Sequence, residues 1–88
     1  MSVHRAISAH SRRQNEALQR FLALDEERER YIQEAIDRCS RGESFTVEHI
    51  NRVTREIQTL AQKEVVPHRQ FVTTEMVKDA VQQKGSQR

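Results

Sequence analysis

Ile50-Asn51-Arg52-Val53-Thr54-Arg55-Glu56-Ile57-Gln58-Thr59-Leu60 carries large apolar side chains at 50, 53, 57 and 60. Steps of three, four and three keep those four on one side of an α-helix, in the a/d spacing of a packed seam. Ile50 and Ile57 hold one seam position, Val53 and Leu60 the other. Two heptads are too short for a freestanding coiled coil, so the seam needs a partner within the chain. The spacing predicts a helix over about 46–64, with Ser44 or Thr46 capping its start.

Upstream, residues 2–40 contain no glycine or proline. Val3, Ala6, Ile7, Ala17, Leu18, Phe21, Leu22, Tyr31, Ile32, Ala35, Ile36 and Cys39 recur at helical steps, and Gly42 is placed to terminate the run. Glu16–Arg20, Glu26–Arg30, Glu34–Arg38 and Asp37–Arg41 are i,i+4 pairs in the favourable order. The apolar stripe weakens at Asp25-Glu26-Glu27-Arg28-Glu29-Arg30, which reads as a solvated charged face. Asp25 is an alternative start for a second helix there; one helix of about 38 residues, near 57 Å, is the preferred reading.

Downstream, Pro67 excludes helical dihedrals from the residue before it, so 65–72 is expected to be an extended crossing. Thr73 or Thr74 then caps a helix over about 73–84, with Met76, Val77, Ala80 and Val81 on its apolar side. The expectation is one all-α domain over 1–88. Its long first helix and second helix form an antiparallel hairpin, followed by a short C-terminal helix. By length alone the second helix reaches back only to about Leu22. Val3, Ile7 and Leu18 are then left for the third helix or for a second copy of the chain.

The chain is 35% hydrophobic and 32% charged, with a mean hydropathy of −0.86. So little apolar mass in 88 residues is thin support for a lone monomer, and self-association is the usual remedy at this size; a homodimer is expected. Net charge is +2, but it is unevenly spread: residues 1–20 carry +3 and residues 21–43 carry −3. Arginine outnumbers lysine by 12 to 3, which suits forked, interfacial contacts.

Catalytic and metal chemistry find little to stand on. His4, His10, His49 and His68 show no H-E-x-x-H spacing, and the lone Cys39 allows neither a C-x-x-C pair nor an internal disulfide. Two glycines cannot build a phosphate loop or a nucleophile elbow. Neither an enzyme nor a cofactor or metal site is expected. No apolar run approaches a membrane span, and the first residues lack the apolar core of a secretory signal. The expected location is the cytoplasm, without a membrane partner.

Val3-His4-Arg5-Ala6-Ile7-Ser8-Ala9-His10-Ser11 and Val66-Pro67-His68-Arg69-Gln70-Phe71-Val72-Thr73-Thr74-Glu75-Met76-Val77, with the chain length and the helical middle, resemble the YpbS-like family. That family comprises small uncharacterised proteins of spore-forming Gram-positive bacteria. The resemblance covers essentially the whole chain and implies a bacterial cytoplasmic protein; no functional residue is carried over from it.

The leading expectation is a protein–protein interaction or adaptor module. Its candidate interface is Val3, Ile7, Leu18, Phe21, Val66 and Phe71, with an unidentified protein partner. For 65–72, packing onto the hairpin is the bland alternative to a binding role. The rival from another class is a small nucleic-acid-associated regulator. It would use Arg5, Arg12, Arg13 and Arg20 as a basic stripe along the first helix.

Overall fold

The computed structural model describes the backbone of residues 2–86 and the side chains of residues 9–83. Three helices account for its regular structure: α1 Ser2–Ser40, α2 Glu48–Lys63 and α3 Thr74–Ser86. No strand occurs among the described residues. α1 is unbroken through Asp25-Arg30, and its 39 residues at about 1.5 Å each match the longest dimension of the molecule, 61 Å.

Gly42 ends α1 in the left-handed conformation, with φ +73°. The Glu43 N–H donates to the Arg38 carbonyl at 2.9 Å, and the Gly42 N–H to the Cys39 carbonyl at 3.1 Å. This paired closure satisfies carbonyls that the last turn would otherwise leave open. In the same turn Arg41 donates to the Glu43 carboxylate at 2.9 Å, which holds that carboxyl below its usual range.

α2 returns antiparallel to α1. The Tyr31 and His49 rings stack at 5.2 Å, Arg28 bonds Thr54, and Arg13 pairs with Glu64. The hairpin thus reaches Arg13, nine residues beyond the Leu22 expected from helix length alone. The linker accounts for the difference. After the turn, residues 43–47 run back as non-helical chain, advancing about 3.3 Å per residue instead of 1.5 Å. Thr46 Oγ1 then accepts the Glu48 N–H at 3.1 Å, and α2 starts two residues later than Thr46.

The seam is the core. Ile50, Val53 and Ile57 are fully buried. Val53 and Ile57 pack with Ala17, Phe21, Leu24 and Val66, and Leu60 closes that cluster from the side. Ile50 packs with Ala35, Val72 and Val77 in a second cluster. Both clusters include a residue of the 64–73 segment, which therefore lies along the hairpin and is not held off from it.

α3 completes the second cluster through Val77, beside Ile32, Ile36 and Cys39. Thr73 Oγ1 accepts the Met76 N–H at 3.2 Å, capping the helix. The described contacts of α3 with α1 therefore lie in the C-terminal half of α1.

Of the four i,i+4 pairs expected on α1, only Glu34–Arg38 closes, at 3.4 Å. Arg41 turns to Glu43, Asp37 accepts from Gln33, and Arg20 is left without an acidic partner among the described residues.

A Cβ on residue 42 would meet nothing within 4 Å, so the cost of replacing the glycine is purely that of the backbone conformation. Gly42→Ala is expected to lose about 1 kcal/mol in urea unfolding, and Gly42→Asn, which tolerates that conformation, less. Equal losses for the two variants would contradict this account of the turn.

Candidate functional site

An extended segment laid in a groove carries backbone polar groups that neighbouring helices cannot satisfy with their own backbones. Side chains satisfy them here. Gln14 Nε2 donates to the Val65 carbonyl at 2.7 Å, and Gln58 Nε2 to the Arg69 carbonyl at 2.7 Å. Arg28 Nη2 donates to the Gln70 carbonyl at 2.8 Å. Asn51 makes a two-way pair with Val72, donating to its carbonyl at 2.9 Å and accepting its N–H at 2.8 Å.

Two arginines fasten this strap. Arg69 forks onto Asp25, with Nε–Oδ1 at 2.9 Å and Nη2–Oδ2 at 3.2 Å, and its guanidinium lies 5.0 Å from the Phe21 ring centre. That carboxylate holds the Arg69 guanidinium above its ordinary value. Arg28 bridges all three layers: its Nε donates to Thr54 Oγ1 at 2.8 Å while Nη2 holds the strap. Thr54 is fully buried, and its hydroxyl donates a hydrogen bond to the Ile50 carbonyl at 2.9 Å. Burial pushes Arg28 below its ordinary value, against the pull of Asp25.

The expectation of a solvated charged face over 25–30 therefore needs correction. Asp25, Glu27 and Arg28 are half-buried and engaged; only Glu26, Glu29 and Arg30 are exposed. The physical reason is the strap, which brings its own arginine and its open carbonyls to that stretch of α1.

The candidate interface residues separate. Phe21 and Val66 are 3% and 9% exposed and belong to the core, because the strap covers the side of α1 on which they meet. They are unavailable to a partner. Leu18 and Phe71 are exposed at 39% and 44%. Leu22, read as part of the apolar stripe of α1, and Val65, within the candidate 65–72 surface, join them at 49% and 81%. The side chains of Val3, Arg5 and Ile7 lie outside the described residues.

The basic residues separate too. Arg13 is engaged by Glu64 at 3.0 Å. Arg12 is exposed, and Arg20 lies about 80° around α1 from it. Arg20 instead joins Arg52, Arg55 and Lys63 of α2 in an open cleft of about 370 Å³ on the side of the hairpin away from the strap. A second cleft, about 320 Å³, lies by Tyr31, Glu34, Arg38, Phe45 and His49. His10, His49 and His68 are scattered and exposed. Cys39 is half-buried against the second core cluster. Among the described residues no three His, Cys, Asp or Glu side chains are grouped to hold a metal ion. No helix there is long and apolar enough to cross a membrane.

Replacing Asn51 by leucine removes both bonds to Val72 and should cost about 2 kcal/mol. The Val72 amide should also exchange faster relative to the seam amides, as read by hydrogen exchange. Unchanged protection at Val72 would show that the strap is held by its apolar residues alone. For the partly exposed Asp25–Arg69 pair, a double-mutant cycle with Asp25→Asn and Arg69→Gln should give a coupling of about 1 kcal/mol that shrinks in high salt. No coupling would remove the fork as a fastening.

With this geometry in place, comparison with known proteins fixes the family. The model of a protein of unknown function, DUF2533, matches residues 1–83. The uncharacterized protein YpbS of Bacillus subtilis (strain 168) is 43% identical over 79 residues, covering 90% of this chain and 93% of that protein. No solved structure matches. The chain accordingly belongs to the DUF2533 family, the YpbS-like group that its two terminal motifs resemble.

Proposed function

We propose that this protein is a non-catalytic interaction module that works as a small helical homodimer and docks onto another protein. The observation that carries this reading is that α1 outruns its own hairpin. Among the described residues, the first cross-helix contacts are Arg13–Glu64 and Gln14–Val65, so residues 9–12 of α1 make no hydrogen bond or ion pair with α2 or α3.

The surface area agrees. The chain exposes 6866 Å², against about 5400 Å² for a compact monomer of its mass. The excess, about 1500 Å², exceeds the roughly 800 Å² that each partner gives to a standard interface. Its radius of gyration, 17.6 Å, likewise stands well above the about 12 Å of a compact domain of this length.

A second copy is the occupant with the best support. Leu18 and Leu22 lie one helical turn apart, and Val65 is tied to Gln14 one turn before them, giving an exposed apolar edge. In an antiparallel arrangement the +3 segment 1–20 of one copy faces the −3 segment 21–43 of the other, so charge adds to apolar contact. The nucleic-acid alternative has less support, because Arg13 is occupied and Arg12 and Arg20 point to different sectors.

Light scattering on a sizing column should return about twice the chain mass of 10.4 kDa at about 50 µM. Leu18→Asp with Leu22→Asp should return the single-chain mass with helix content unchanged by circular dichroism. A wild-type protein that stays at the single-chain mass at that concentration sinks the dimer.

A further inference from the structure

The open side of the hairpin carries three cross-helix rungs. On α1, Arg13, Arg20 and Glu27 are seven residues apart and share a side of the helix. The outer rungs are closed by opposite charge: Arg13 meets Glu64 at 3.0 Å, and Glu27 meets Arg52 at 3.7 Å. Among the described residues no ion pair closes the middle rung. There Arg20 shares a cleft of about 370 Å³ with Arg52, Arg55 and Lys63, and with Leu60 and Glu56 in its walls. Glu56 makes no ion pair with any described cation.

The contrast with the rest of the molecule is marked. Among the described side chains, Arg12, Arg20, Arg30, Arg55 and Lys63 are the cations that find neither an acid nor a side-chain hydrogen bond. Three of those five line this one cleft.

We propose that this cleft binds a small phosphate-bearing molecule of nucleotide size, whose charge supplies the anion missing from the middle rung. Guanidinium groups match phosphate oxygens with paired, charge-assisted hydrogen bonds. The volume falls in the range of small-molecule sites. Leu60, which packs against the core, offers an apolar wall to the part of the ligand that carries no charge. The positive field is local, because Glu64 and Glu27 stand at the two ends of the cleft. A nucleic-acid backbone would run past both acids, whereas a compact phosphate fits between them. The site is independent of the proposed dimer: Leu18 and Leu22 lie about 160° around α1 from Arg20, so a monomer would test it equally well.

The test is an amide and arginine side-chain NMR titration of the full chain with ATP and, separately, pyrophosphate, at about 20 mM salt to limit screening. Saturable shifts confined to Arg20, Arg52, Arg55, Leu60 and Lys63 are expected with either ligand. Arg20→Gln and Arg55→Gln should each weaken binding about tenfold, as loss of a charged hydrogen bond does. Glu56→Gln should tighten binding, because it removes the one acid in the wall. Circular dichroism of each variant confirms that the hairpin still folds. The proposal is overturned if neither ligand gives saturable shifts by about 10 mM. Equal shifts at Arg12 and Arg30 would also overturn it, as would binding of a 20-nucleotide single strand with no response to ATP or pyrophosphate.

Discussion

The fold depends on one constraint: an extended strap lies between two helices, and its backbone polar groups have to be satisfied there. The apolar seam alone would accept a strap in several registers, since Val66 and Val72 fill the groove by shape. The side-chain bonds remove that freedom. Gln14, Arg28, Asn51 and Gln58 each take a particular carbonyl, at Val65, Gln70, Val72 and Arg69. Once Val72 is fixed by Asn51, Thr73 follows as the cap of α3, and Val77 is delivered to Ala35 and Ile50. The position of the third helix is thus set by amide chemistry some twenty residues upstream.

The same constraint divides the charges of α1. Asp25 is drawn to Arg69 on the strap side, while Glu27 turns to Arg52 on the other. With Arg28 committed to Thr54 and Gln70, the acidic stretch of α1 is largely used in holding the molecule together. Its exposed remainder, Glu26 and Glu29, lies away from the open cleft. Arg20 and the cations of α2 are therefore left facing one another, although the segment 21–43 as a whole carries net negative charge.

Much of the architecture could be read from local signals. The seam spacing, the glycine after α1 and the threonine before α3 each act within a few residues, and each acts where the sequence places it. What escaped was non-local. Helix length misjudged the reach of the hairpin because 43–47 is non-helical, and nothing in those five residues announces that they fold back along α1. Phe21 and Val66 read as surface candidates because the strap that buries the one, and contains the other, is brought in from 45 residues away in sequence. Asn51 and Gln58 did leave a trace: with Thr54 between them, they form an uncharged polar row at helical spacing beside the apolar seam. Such a row, flanked by arginines and glutamates, marks where polar groups must be satisfied without burying charge. The cleft cations could not be paired from sequence at all, since Glu16–Arg20 satisfies the helical pairing rule and yet does not close.

The two sides of the hairpin consequently have different prospects as surfaces. On one side the chain has already supplied its own ligand, a ten-residue strap whose carbonyls take the amides of Gln14, Asn51 and Gln58. A competing peptide would have to replace all of those bonds and the Arg69 fork together. On the other side the cleft between α1 and α2 holds Arg20, Arg55 and Lys63, which among the described residues have no acid or side-chain hydrogen bond of their own. An incoming anion on that side displaces only water and counterions, so binding there requires no rearrangement of the core. The apolar edge at Leu18 and Leu22 belongs to neither groove. Contact at that edge and contact in the cleft can therefore proceed on the same molecule without exclusion, because α1 presents them on opposite sides of one rigid rod.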